Sequence, residues 1–170
     1  AEIAGGFKYG LAREAETLFA TAPQLRVVHL NSAGGRLGEA VKIVRLITRR
    51  KLDTYTSATC ASACAVVFAA GHERYLRRGA RLGFHRGIFA GAENAEAMKR
   101  LLLSAGIAPA FVDRAVAQPA ESIWYPTDAE LAEDIAYLRK TWGAIRERER
   151  GQVAPRRQQL VRFEIDRVAF

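Results

Sequence analysis

Cysteine is almost missing from this chain, with two in 170 residues. That excludes a small scaffold held by a disulfide framework. The C-x3-C spacing of Cys60 and Cys64 suits neither a redox C-x-x-C motif nor a four-ligand zinc site. Histidine is scarce too. His29, His72 and His85 do not stand at metal-ligand spacing, so no metal is expected. No apolar run approaches the roughly 18 residues of a membrane span. The opening "AEIAGGFKYG" lacks the order of a signal peptide. There is no internal repeat and no nucleic-acid motif, so nucleic acid is not an expected partner.

What is present suits one domain with a sizeable core. Hydrophobic residues make up 49% and charged residues 26%, ordinary for a globular chain. Formal net charge is +8. The excess is uneven: Arg139 to Phe170 holds nine Lys+Arg against four Asp+Glu, or +5. Acids interleave there as "RERERG", so the segment reads first as a solvated arginine-rich helix or arm. It could also meet an anionic partner or a membrane surface. The chain divides accordingly into an α/β domain over 1–140 and a basic C-terminal helix, arm or linker over 141–170.

Strand and helix patterns alternate. "GFKYG" suggests a short strand, followed by a helix over about Leu11 to Ala20. "LRVVHL" is a short apolar run of the buried-strand kind, ended by the turn cluster "NSAGG". "LGEAVKIVRLITRR" places Leu37, Ala40, Val41, Val44 and Ile47 on one helical face. "DTYTSA" is rich in β-formers, and "SACAVVFAAG" reads as a short buried helix stopped by Gly71. "RYLRRGARLGFH" suggests two strands around Gly79. Helices follow over about Asn94 to Ser104 and from Pro109. "TDAE" at Thr127 to Glu130 has the form of a capping box. This alternation favours a largely parallel sheet flanked by helices. Ligands of such sheets bind where strands turn into helices.

Two turns qualify. In "HLNSAGGRLGEA", paired glycines allow a backbone N–H to face a site. In "TCASACAVVFAAG", Ser62 stands at a helix mouth between small residues, where the Ala63 N–H can donate to an oxyanion. Each is also what a plain turn or a plain N-cap looks like. His85, in "RLGFHRG", follows 23 residues after Ser62. Histidine is the usual base for a serine nucleophile. His29, on the strand before "NSAGG", reads as structural. His72, after Gly71, reads as exposed and close to Glu73.

Taken in order, these pieces resemble the Clp-type (ClpP-like) serine peptidases, within the wider ClpP/crotonase fold of β-β-α units. "LNSAGG" matches that family's Asn-Ser-Pro-Gly-Gly turn, "ASACAVVFAAG" its nucleophile helix and "ARLGFHRG" its histidine strand. The resemblance spans roughly Ile3 to Leu138. The cysteine-flanked serine is similar to predicted secreted or periplasmic bacterial members. The resemblance implies a serine peptidase with Ser62 as nucleophile, His85 as base, and an oxyanion hole at the Gly35 and Ala63 N–H groups. It implies peptide or protein substrates, a homo-oligomer, no cofactor, and a periplasmic, secreted or membrane-anchored location, with the cytoplasm as the alternative.

Three features depart from the pattern. Ala33 stands where the family usually has proline. The direct alignment puts Ile123 at the family's aspartate, leaving Glu121 as the candidate third member; Asp113 and Asp128 are less suited. The segment from His85 to Thr127 is shorter than the family's ring-stacking region, so a trimer, hexamer or single ring is expected over a double ring. An inactive binding or scaffold protein is therefore the second reading. A crotonase-like acyl-CoA enzyme is the third. Cys60 and Cys64, four apart, would lie about 6 Å apart on a regular helix, within disulfide range. A disulfide would staple the Ser62 turn and imply an oxidising compartment. Otherwise the pair are two small buried hydrophobes. Nothing nearby lowers a thiol pKa to make either one a nucleophile.

Overall fold

A computed structural model describes residues 1–85, 92–119 and 121–134. The tail boundary at 140 and the basic segment over 141–170 lie outside the described residues. The elements run β1 (Glu2–Ala4), α1 (Leu11–Thr21), β2 (Val27–Asn31), α2 (Leu37–Arg50), β3 (Asp53–Thr56), β4 (Thr59–Ala61) and α3 (Ala63–Ala69). Then follow β5 (Arg74–Leu76), β6 (Arg81–Gly83), α4 (Ala92–Ser104), α5 (Pro109–Ala117) and α6 (Asp128–Asp134).

Two parallel sheets result. One has the order β1-β2-β3-β5 and the other pairs β4 with β6. Alternation along the central strands sends Val28, Leu30, Thr54 and Thr56 to a fully buried face. Ile3 joins them from β1. The core continues into Leu11, Ala15 and Phe19 of α1 and Ala40, Ile43, Leu46 and Ile47 of α2. The expected α/β architecture is therefore present, with parallel strands and flanking helices.

Two local readings need correction. "GFKYG" is not a strand; the first strand is β1, and Phe7 makes only a single bridge to Gly35. The backbone there curls around the Gly34–Gly35 turn instead of extending beside β2. The inward face of α2 is also rotated. Ile43 and Leu46 are buried, whereas Leu37, Val41 and Val44 are only half-buried. Glu39 turns inward with that face, because its carboxylate accepts from the Ala12 N–H at 2.9 Å. That bond serves the start of α1, whose N-cap Gly10 has no side chain to do so.

Helix α3 is buried at all seven positions. A helix surrounded on all sides has no polar stripe, which is why "ACAVVFA" shows no amphipathic period. At α6, Thr127 Oγ1 accepts from the Glu130 N–H at 3.3 Å, and Glu130 Oε2 accepts from the Thr127 N–H at 2.7 Å. This is the reciprocal capping box that the sequence shows. His72 is exposed, as expected, but its charged neighbour is Asp53 at 3.7 Å, across from the start of β3.

Candidate active site

The site begins at the carboxyl end of β2. Ser32 is buried and its Oγ is doubly used: it donates to the Gly5 carbonyl and accepts from the Gly34 N–H at 2.9 Å. The Phe7 N–H donates to the Gly34 carbonyl at 2.7 Å, and the Arg36 N–H donates to the Phe7 carbonyl at 2.9 Å. A parallel bridge with that pattern uses the groups on either side of Gly35. The Gly35 N–H itself therefore points away from Phe7. Gly35 is exposed and its φ is 141°.

Gly34, with φ 99°, is the point of closest approach to the second turn. A Cβ there would lie 2.6 Å from the Ala61 carbonyl oxygen, 2.8 Å from Ser62 Cβ and 2.9 Å from the Ala63 nitrogen. No side chain fits, so the bare backbone of one turn rests on the other. Ala33, where the resembled family has proline, is exposed beside this contact.

The second turn places Ser62 between β4 and α3 with φ 56° and ψ −126°. A non-glycine residue in this region is strained, and it persists only where the surroundings over-determine it. Several contacts do so. The Ser62 N–H donates to the Gly83 carbonyl at 2.8 Å. Its own carbonyl accepts from the Ala65 N–H at 3.0 Å. Cys60 and Cys64 form a disulfide, with Cα atoms 5.2 Å apart, that closes a ring around the serine. Ser62 is half-buried, while its neighbours Ala61 and Ala63 are buried. Ala63 opens the helix, so its N–H has no intrahelical partner.

The histidine arrives from β6. Ala61 and Gly83 stand opposite each other in the β4–β6 pair, and His85 follows Gly83 by two residues. That is one strand repeat, about 7 Å, beyond the carbonyl that holds Ser62. Beyond β6, Phe84 exchanges both backbone hydrogen bonds with Trp124, at 2.8 and 2.9 Å. Phe84, Phe111 and Trp124 pack as an aromatic cluster, with Arg114 over the Trp124 ring at 4.2 Å. This cluster fixes the chain leading into the histidine and the segment bridged to it.

His85 is only 5% exposed, and its Nδ1 is buried with no hydrogen-bond partner among the described residues. The antiparallel Phe84–Trp124 bridge explains why. Continuing its register by one residue sets Ile123 opposite His85. The residue at that register position is apolar and brings no carboxylate to the ring. Glu121 is exposed and makes no hydrogen bond to Nδ1. Asp113 pairs with Lys99 at 2.6 Å, and Asp128 lies in the first turn of α6.

Ser62 and Ala63, Gly35, and His85 thus come from three adjoining pieces of chain, while Glu121 makes no hydrogen bond to the His85 ring nitrogen Nδ1. Two supports escaped the sequence reading. Ser32 is the hinge of the glycine turn. Gly83 lets neighbouring chain approach closely: a Cβ there would meet Ile123, Tyr125 and Ala61 at 2.6–2.9 Å. The glycine inside an apolar strand was the available signal for such a close approach. Among the described residues, no group of three or more His, Cys, Asp or Glu could hold a metal. No described helix is long and apolar enough to cross a membrane.

No known protein family matches the chain by sequence, and no curated protein does. Its fold has a clear counterpart. A membrane-bound stomatin-specific protease, solved as a serine-to-alanine mutant, superposes with a TM-score of 0.69 at 16% identity. The match covers 88% of this chain and 81% of that one. The likeness shows a ClpP-like α/β fold.

Proposed function

We propose that the protein is a serine hydrolase acting on peptide or protein substrates, with Ser62 as nucleophile and His85 as general base. The observation that carries this reading is the strained Ser62 backbone, held against bare Gly34 at a strand-to-helix turn. A serine that only capped a helix would need no such conformation. In the proposed reaction Ser62 Oγ attacks the carbonyl carbon as His85 takes its proton. The Gly35 and Ala63 N–H groups receive the oxyanion, the leaving amine takes the proton from His85, and water releases the acyl group. The protease of like fold supports the substrate class. The Cys60–Cys64 disulfide supports an oxidising compartment, the periplasm or outside of the cell. The fold also supports assembly into a homo-oligomer.

One observation favours a second reading. His85 Nδ1 has no hydrogen-bond partner among the described residues, as in an inactive relative kept as an oligomeric scaffold. A fluorophosphonate decides between them. A single adduct mapped to Ser62, lost in Ser62→Ala and His85→Ala, is the outcome expected of the hydrolase. A folded, oligomeric wild type with Ser62 unmodified leaves the scaffold.

A further inference from the structure

We propose that Ser57 is a second activated serine, served by His29 and Glu2, and that it accepts acyl groups from small activated esters. The juxtaposition follows from the sheet. Glu2 stands opposite His29 in the β1–β2 pair, and Tyr55 stands opposite His29 in the β2–β3 pair. Alternation puts Asn31 on the same face as His29, and Ser57 lies just past the end of β3. Asn31 ends β2 and Ser57 follows β3, so the serine side of the cluster lies at the carboxyl ends of parallel strands, where sheets of this kind take ligands, with His29 mid-strand and Glu2 at the start of β1 behind it.

The hydrogen bonds fix the state of the ring. Asn31 Nδ2 carries only donors, and it lies 2.9 Å from His29 Nε2 and 3.3 Å from Glu2 Oε1. Its Oδ1 accepts from Thr56 Oγ1 at 3.4 Å, which agrees with that orientation. Nε2 is therefore the acceptor, and the ring proton sits on Nδ1, facing Glu2 Oε1 at 3.5 Å. Ser57 Oγ lies 2.9 Å from Nε2, and with the ring proton on Nδ1 it shares that acceptor with the Asn31 amide. The His29 ring stacks on Tyr55 at 4.8 Å, which sets its plane. Burial holds the imidazole below its ordinary pKa, with Glu2 pulling the other way. A neutral ring accepting a serine proton, with a carboxylate behind it, is the arrangement that activates serine. Ser57 and His29 are half-buried and so reachable from solvent.

Asn31 adds the electrophilic help. Once Nε2 takes the Ser57 proton it can no longer accept from Asn31. The freed amide N–H can then turn to the new oxyanion. One such donor suits an ester with a good leaving group better than an amide. The Oγ–carbon bond forms as the Oγ proton moves to Nε2. The carbon–oxygen bond to the alcohol then breaks, and the alcohol leaves with the Nε2 proton. Water enters by the reverse path to free the acid.

The test uses the full chain carrying Ser62→Ala, treated with a fluorophosphonate and separately with p-nitrophenyl acetate, the modified peptide being mapped by mass. An adduct on Ser57 is expected with both. Its rate should fall about 100-fold in His29→Gln, the size of a general-base contribution, with a smaller loss in Glu2→Gln. Glu2→Gln is isosteric at a half-buried position, so it keeps the test open if His29→Gln fails to fold. A folded Ser62→Ala protein with Ser57 unmodified overturns the proposal. So does an adduct whose rate ignores both substitutions, which would make the cluster a structural hydrogen-bond network. Wild-type labelling at Ser62 reports the main site separately, so either site can fail alone.

Discussion

The turn that holds Ser62 and the strand end that holds His85 are built to different standards. The serine turn is fixed four times over: by the disulfide, by the Gly34 contact, by the bond to the Gly83 carbonyl and by the Ser32–Cys60 bridge. The histidine is placed just as firmly along the chain, by Trp124 and the aromatic cluster. Yet among the described residues its ring has no partner at Nδ1. Backbone placement and ring orientation are separate problems, and only the first is solved by the described residues. In the proposed site, the described residues preorganise the serine and the two backbone N–H groups but supply no partner that would set the tautomer of the proposed base.

The largest effect should come from breaking the firmer region. Gly34→Ala would press a methyl into the Ala61 carbonyl, Ser62 Cβ and Ala63 nitrogen, all backbone or Cβ atoms that cannot swing aside. Its φ of 99° adds strain. The expected loss is about 3 kcal/mol of stability by denaturant unfolding. Ser62 labelling should fall about 100-fold or more, because a displacement of 1 Å suffices for that. Unchanged labelling would show that the contact between the turns does not set the serine.

The looser region can be sharpened. Ile123→Asp puts a carboxylate opposite His85, at a position exposed enough to take one (38%). A missing orienting carboxylate can cost about 10⁴ in turnover, so a gain of about 10–100-fold in Ser62 labelling is expected. Glu121→Gln, by contrast, should leave the rate within about twofold, since Glu121 is exposed and does not meet Nδ1. If Glu121→Gln abolishes labelling and Ile123→Asp does nothing, the loop rearranges in solution and Glu121 is the third member after all.

The same contrast explains what could be read from sequence. Ser62, the glycine pair and His85 are legible because local chemistry marks them: small residues at a helix mouth, a turn cluster, a histidine closing an apolar run. Helix α2 was legible to its ends, but its buried face was not. Glu39 turns inward to serve α1, and no window on α2 alone can show that bond. β4 was hidden because "TCA" has three residues and its strand partner is β6, 22 residues further on. The place of Ile123 opposite His85 follows from a register between strand ends almost forty residues apart, which spacing along the chain does not encode.

A smaller effect tests how far the disulfide carries the firm region. Reduction, or Cys60→Ala with Cys64→Ala, opens a ring of only a few residues. The chain-entropy account gives about 2 kcal/mol for so short a loop. Both cysteines are fully buried, so the alanines also leave small voids. Unfolding midpoints should shift accordingly, with Ser62 labelling falling less than in Gly34→Ala, because the Gly34 and Gly83 contacts survive. A fall as large as that of Gly34→Ala would make the disulfide the chief support of the serine backbone.

The smallest effect separates stability from chemistry within the firm region. Glu39 follows the glycine turn but touches none of the reacting groups. Its carboxylate accepts from the Ala12 N–H and pairs with Lys42 at 3.0 Å. Those two contacts, the Ala12 bond foremost, hold it below its ordinary pKa of 4.5 against the opposing effect of burial. A depressed folded pKa means that the unfolded chain binds the proton more readily. The stabilisation is therefore complete above pH 4.5 and drains away as the pH falls through the lower folded value. Glu39→Gln keeps the shape and removes the charge. It should cost about 2 kcal/mol near neutral pH, the scale of a charge-assisted hydrogen bond. The gap to wild type should close in acid, while Ser62 labelling at neutral pH stays within about twofold. A gap that persists unchanged at pH 3 would mean that shape, and not charge, is what Glu39 supplies to α1.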